Sequence, residues 1–150
     1  VETAQPFITE RTHTLALTVP AEDIWVDADP VRLAQVLSNL LINAARYTAP
    51  GGRIVVTAKA SSTAVTLSVR DSGIGLTPDQ LANLFNMFWQ AEREDKRQGL
   101  GVGLALVKGL VQLHGGSVSA HSEGLGRGAE FTVLLPAAMP APVERQKPRV

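Results

Sequence analysis

The chain has no cysteine among its 150 residues, which excludes disulfides and thiolate metal sites and leaves the redox compartment unmarked. It has no excess of either charge, because 14 Lys and Arg balance 14 Asp and Glu. A general nucleic-acid or polyanion binder carries a basic excess, so that class is disfavoured. No apolar run reaches the roughly 18–20 residues that a membrane-crossing helix needs, and the opening residues are not expected to be a signal peptide. Internal repeats are absent as well. What is there is a chain 45% hydrophobic, at a length common for one domain with one buried core.

Periodicity divides the chain into alternating elements. Thr12 to Val19 alternates and is rich in Leu, Val and Thr, which predicts a half-buried strand ended by Pro20. A shorter strand is expected around Ile24 to Val26. Asp29-Pro30 reads as an N-cap followed by proline at the first helical position. From there Leu33, Val36, Leu37, Leu40, Leu41 and Ala44 recur at helical spacing, predicting a helix to about Tyr47 that Pro50-Gly51-Gly52 breaks. Two strands, Arg53 to Ala60 and Ala64 to Asp71, form an expected hairpin through Ser61 and Ser62. A glycine-rich turn, a short helix from Pro78 to Phe85 and a polar loop from Gln90 to Gln98 follow. Gly99, Gly101 and Gly103 lead into a helix capped by Gly115-Gly116, and strands over Ser117–Ser122 and Ala129–Leu135 close the pattern. Residues 1–136 thus read as one domain and 137–150 as a Pro-rich linker or tail. Hairpins beside three helices predict an α+β two-layer sandwich, with a mixed but mostly antiparallel sheet of about five strands.

Several polar residues sit where a plain core or surface does not ask for them. Gln35, Asn39 and Asn43 are four apart, so they stack on one helix face, although asparagine is a poor helix former. One reading is a solvated surface. The other is a carboxamide oxygen held for a hard cation such as magnesium, with Arg46 one turn further on toward phosphate oxygens. Asp71 ends a strand and is followed by Gly73 and Gly75, so backbone can approach a planar ligand while the carboxylate accepts a hydrogen bond. Gly99-x-Gly101-x-Gly103 opens a helix with bare amides and a positive dipole end, which suits phosphate. It lacks the strand and spacing of a dinucleotide fingerprint and the Lys-Ser/Thr of a P-loop. The third cluster, Gly124 to Gly128, reads by itself as a hairpin turn.

In this order the elements resemble the catalytic ATP-binding domain of bacterial sensor histidine kinases, from the superfamily shared with type II topoisomerases, ninety-kilodalton heat-shock chaperones and mismatch-repair ATPases. DPVRLAQVLSNLLINAARYT is similar to the asparagine box, DSGIGL to the first glycine box, LFNMFWQ to the phenylalanine box and GLGVGLALVKGLVQLHGG to the second glycine box, with EGLGRGAEFTVLLP as the closing segment. The resemblance implies a Bergerat-type fold and the cofactors ATP and Mg2+. It implies that Asn43 holds the metal, that Asn39 supports metal and phosphates, and that Arg46 supplies a cation where the family usually has lysine. Tyr47 would flank the nucleotide and Asp71 would accept from the adenine amino group. Gly73, Ile74 and Gly75 would line the base, and Leu100, Gly101, Val102, Gly103 and Leu104 would surround the phosphates. Thr132 would lie near the base. Gln90 to Gln98 would be the ATP lid, where Arg93, Lys96 and Arg97 either close over phosphates or form a solvated charged loop. Phe85 and Phe88, core-like by composition, would couple the lid to the histidine-bearing domain.

The implied function is donation of the ATP γ-phosphoryl group to a histidine on a separate dimerisation domain of the same kinase, with a response regulator downstream. Within the superfamily, hydrolysing members carry a glutamate where this chain has Asn39, which is no general base at neutral pH. Transfer to an external acceptor is therefore expected over hydrolysis. His13, His114 and His121 lie in strands or at a helix end, so none is expected to be the acceptor. The alternatives are a nucleotide-binding regulatory module without transfer, and a serine kinase of the anti-sigma-factor type. A cytoplasmic location is expected, without direct contact to nucleic acid or membrane, whether or not the parent protein is anchored.

Overall fold

The fold is organised around the helix that opens at Asp29. In the computed structural model, which describes residues 14–18, 26, 28–86 and 102–138, α1 spans Pro30–Arg46. The Asp29 carboxylate accepts from the amides of Val31 at 2.9 Å and Arg32 at 3.4 Å. Proline at the first position has no amide to orphan, so side chain and ring together satisfy the helix start. Tyr47 forms the C-cap. The apolar stripe read from the sequence is the buried face, with Val36, Leu40, Leu41, Ala44 and Ala45 in the core.

Five strands form one sheet among the described residues: β1 Thr14–Thr18, β2 Arg53–Ala60, β3 Ala64–Asp71, β4 Ser117–His121 and β5 Ala129–Pro136, in the spatial order β1-β2-β3-β5-β4. β1 and β2 are parallel because α1 lies between them in the chain, and the other pairs are antiparallel. Ile54, Val56, Val69, Phe131, Val133 and Leu135 point to the helix side and share one core with α1 and with Val107, Leu110 and Val111 of α3, Val102–Leu113. This is the two-layer α+β sandwich expected. The short strand expected at Ile24 to Val26 is an isolated antiparallel bridge between Val26 and Ala137, and Ile24 and Trp25 lie outside the described residues.

α2 spans Pro78–Asn83, two residues shorter than expected. Thr77 and Gln80 form a capping box, with the Thr77 hydroxyl accepting from the Gln80 backbone amide at 3.1 Å and the Gln80 side-chain Oε1 accepting from the Thr77 backbone amide at 2.9 Å. The helix stops where Leu84 turns into the core and Phe85 sets its edge against Phe131, ring centroids 6.2 Å apart at 84°. α3 ends in a Schellman motif: Gly115 has φ +79, its amide donates to the Gln112 carbonyl, and the Gly116 amide donates to that of Val111. The expected lid, Gln90 to Gln98, lies outside the described residues, as do Phe88, Gly99 and the tail from residue 139 onward.

Candidate nucleotide site

α1 is the common wall of the site, because it touches both glycine boxes. At its C-terminal end the Tyr47 carbonyl accepts from the Ile74 amide at 3.1 Å. A little over two turns earlier, the Asn39 side-chain amide donates to the Gly103 carbonyl at the start of α3, at 3.4 Å. Asn39, Asn43, Arg46 and Tyr47 are all half-buried along this wall. The polar face read from the sequence is thus covered in part by the rest of the fold, and is more than a solvated stripe.

Asp71, the last residue of β3, is buried at 6% exposure. Its Oδ1 accepts from the Gly73 amide at 2.9 Å, which turns the chain sharply out of the strand. The glycines after it are required by the chain's own backbone. A Cβ at Gly73 would collide with the Tyr47 carbonyl, and one at Gly75, where φ is +75, with the Gly124 carbonyl. Gly103 differs, since a Cβ there would meet nothing within 4 Å. Leu104, next along α3, packs against the core. Val102 opens α3, while Leu100 and Gly101 lie outside the described residues.

Arg46 is the one residue among those described with a buried side-chain nitrogen, Nε, that has no hydrogen-bond partner. An unpartnered buried donor is costly unless something completes it, and a phosphate oxygen has the right chemistry.

Thr132 does not belong to this group. Directly opposed residues of an antiparallel pair share a face, and Asp71 pairs with Ala129 whereas Thr132 pairs with Ser68 and, on its other edge, with Ser119. Asp71 therefore shares the helix-facing side with Ala129, Phe131 and Val133, and Thr132 lies on the opposite side, in a cross-strand row with Thr57, Ser68 and Ser119. The expected place of Thr132 near the base thus falls on the sheet face opposite to the Asp71 side chain. The β5 residue directly opposite Asp71, on the same face, is Ala129.

The histidines stand as expected where they are described. The His114 Nε2 accepts from the Asp29 amide at 3.2 Å and its Nδ1 lies 2.8 Å from the Leu110 carbonyl, so the ring joins the end of α3 to the start of α1 with its proton on Nδ1. His121 is exposed and pairs with Glu123 at 2.9 Å. That contact, chiefly its hydrogen bond, holds the Glu123 carboxyl below the usual range.

A mixed sheet backed by an asparagine-bearing helix, with a carboxylate-glycine loop at one end of that helix and a glycine-led helix at its middle, defines the ATP-binding domain of sensor histidine kinases. Residues 28–139 match the family described as histidine kinase-, DNA gyrase B-, and HSP90-like ATPase, and the chain belongs to it. Sensor protein SrrB of Staphylococcus aureus is 40% identical over 115 residues, covering 75% of this chain and 19% of SrrB. Among solved structures, full-length ShkA in complex with AMPPNP is 35% identical, with a TM-score of 0.79, over 94% of this chain and 30% of that one. A mycobacterial sensor histidine kinase, MprB, is 26% identical with a TM-score of 0.77 over 91% of each chain. The chain therefore spans about a fifth of SrrB, which is a much longer protein.

Proposed function

We propose that this domain binds Mg-ATP and presents the γ-phosphoryl group to a histidine on a separate dimerisation domain, which in turn serves a response regulator. The observation that carries this reading is the position of α1, one helix bonded both to the loop after Asp71 and to the start of α3. A ligand lying along it reaches the buried carboxylate at one end and the bare amides of a helix start at the other. In this reading Asp71 accepts from the adenine amino group and Tyr47 flanks the base. The start of α3, with Gly103, receives phosphates, and the unpartnered Nε of Arg46 donates to a phosphate oxygen.

The donor set suits magnesium. Asn43 offers a hard carboxamide oxygen, and no cluster of three or more His, Cys, Asp or Glu side chains exists among the described residues, so the nucleotide's own oxygens and waters complete the shell. When bound, the cation spreads the charge of the transferring phosphoryl group. The protein's residues bind and orient, and Asn39, in place of a general base, leaves water unactivated. An acceptor outside this domain is supported by the engagement of both His114 ring nitrogens and by the pairing of His121 with Glu123.

Calorimetric titration with ATP, with and without magnesium, tests the site on the native chain and on Asp71→Asn. Binding that tightens with magnesium and collapses in the variant is expected; native-like binding by the variant refutes the adenine assignment. Addition of a separately produced histidine domain with labelled ATP tests transfer. Label on histidine is expected and is lost in Asn43→Ala. Label on serine of another substrate, or binding without any transfer, refutes the histidine reading.

A further inference from the structure

Four backbone hydrogen-bonding groups converge on a single hydroxyl outside the Asp71 loop. Ser122 follows β4 directly, and its Oγ accepts from the Leu76 amide at 3.0 Å and from the Gly124 amide at 3.2 Å. It donates its one proton to the Gly128 carbonyl at 2.6 Å, with the Gly124 carbonyl a longer alternative at 3.3 Å. A hydroxyl offers one donor and two lone pairs, and all are used. The turn so closed reaches back to the loop: the Gly126 amide donates to the Ile74 carbonyl at 2.7 Å and the Gly128 amide to the Gly73 carbonyl at 3.1 Å. A Cβ at Gly128 would collide with the Asp71 carbonyl, so turn and strand end are in backbone contact. From the other side the Tyr47 carbonyl takes the Ile74 amide. The loop that carries the buried carboxylate is therefore clamped between α1 and the β4–β5 turn, and Ser122 is the side chain that ties the turn to both itself and Leu76.

We propose that Ser122 is a positioning residue for base recognition, an inference that rests on the adenine assignment made above. It touches no ligand and acts through the loop. Removing the hydroxyl leaves the Leu76 and Gly124 amides without this acceptor and loosens the segment from Gly73 to Leu76. A carboxylate that must meet an exocyclic amino group tolerates little displacement, because base discrimination depends on that one hydrogen bond. Ser122 therefore governs the preference for a 6-amino over a 6-oxo purine triphosphate and leaves the hold on the phosphates alone.

The test measures dissociation constants of ATP, GTP and inorganic tripolyphosphate, all with magnesium, for the native chain, Ser122→Ala, Ser122→Thr and Ser122→Cys, well below each unfolding midpoint. Ser122→Ala is expected to weaken ATP about tenfold, the worth of one good hydrogen bond, and to narrow the ATP-over-GTP preference equally. Tripolyphosphate is expected to bind unchanged, and Ser122→Thr, which keeps the hydroxyl, to restore the preference. Proportional weakening of all three ligands, or a lower unfolding midpoint with the preference intact, overturns the proposal. If the alanine variant does not fold, Ser122→Cys carries the same test through a partial loss of preference. A native chain that binds tripolyphosphate but does not prefer ATP overturns the adenine assignment itself; a native preference untouched by Ser122→Ala overturns only the role of Ser122.

Discussion

The two ends of the site are built differently. Around Asp71 the loop satisfies itself: Gly73, Ile74 and Leu76 are bonded to Tyr47, Ser122, Gly126 and Gly128, and its glycines exist because neighbouring carbonyls leave no room for a side chain. Around Arg46 and Gly103 the chain leaves matters open, with a buried guanidinium nitrogen lacking a partner and a glycine facing empty space. The Asp71 end, which the proposed function gives to the base, is preorganised by the protein, so its geometry would cost little on binding. The Arg46 end, which the proposed function gives to the phosphates, leaves one buried donor unsatisfied. Identical residue types, glycines above all, serve backbone packing at one end and leave open space at the other.

The largest expected effect falls on the self-satisfied end. Gly75→Ala combines a positive φ with a collision against the Gly124 carbonyl and is expected to destabilise by about 3 kcal/mol, read by chemical denaturation, with loss of ATP binding. Gly126→Ala has a similar φ, +79, but nothing within 4 Å, and is expected to cost only about 1 kcal/mol. Equal costs would break the contrast between collision and conformation.

At the open end function and stability should separate. Arg46→Met is expected to leave the unfolding midpoint of the ligand-free chain unchanged or higher, since it removes an unsatisfied buried donor, while ATP affinity falls about tenfold. A large loss of ligand-free stability would mean that Arg46 is structural. Smaller still is the Gly103→Ala and Gly109→Ala pair, both in α3 and both with open space at the Cβ position. Each is expected to stabilise by up to about 1 kcal/mol through helix propensity, but calorimetry should show weaker ATP binding for Gly103→Ala alone.

The smallest effect lies away from both ends. The Glu123 carboxyl is held low by its hydrogen bond to His121. A depressed folded-state value means that its contribution is present above the ordinary glutamate value of 4.5 and fades as pH falls through the folded value. On so exposed a pair, Glu123→Gln is expected to change the midpoint within error at pH 7 and to flatten the acid limb slightly. A marked loss at pH 7 would show that edge strand β4 depends on this pair.

Much of the site was legible because helical and strand periods are local. The face bearing Asn39 and Asn43 follows from spacing alone, and the N-cap at Asp29 from the Asp-Pro pair. The capping box at α2 was equally legible in Thr77-x-x-Gln80, a signal that places the helix start at Pro78. Strand phase was not. The run Ala129 to Leu135 alternates, yet nothing local says which set faces the helices. Pairing with β3 decides it and moves Thr132 away from Asp71. Ser122 carried no signal at all, because its partners lie up to 46 residues away.

By itself, then, the sequence determined the elements, their caps, the buried stripe of α1 and the glycines that mark its loops, since each rests on contacts within a few residues. Only the tertiary structure decided which strand face meets the helices, that the Gly124–Gly128 turn clamps the Asp71 loop, and that the Arg46 Nε is buried without a hydrogen-bond partner. Those features depend on segments distant in the chain meeting across the sheet, where a one-residue shift in register reverses every side chain.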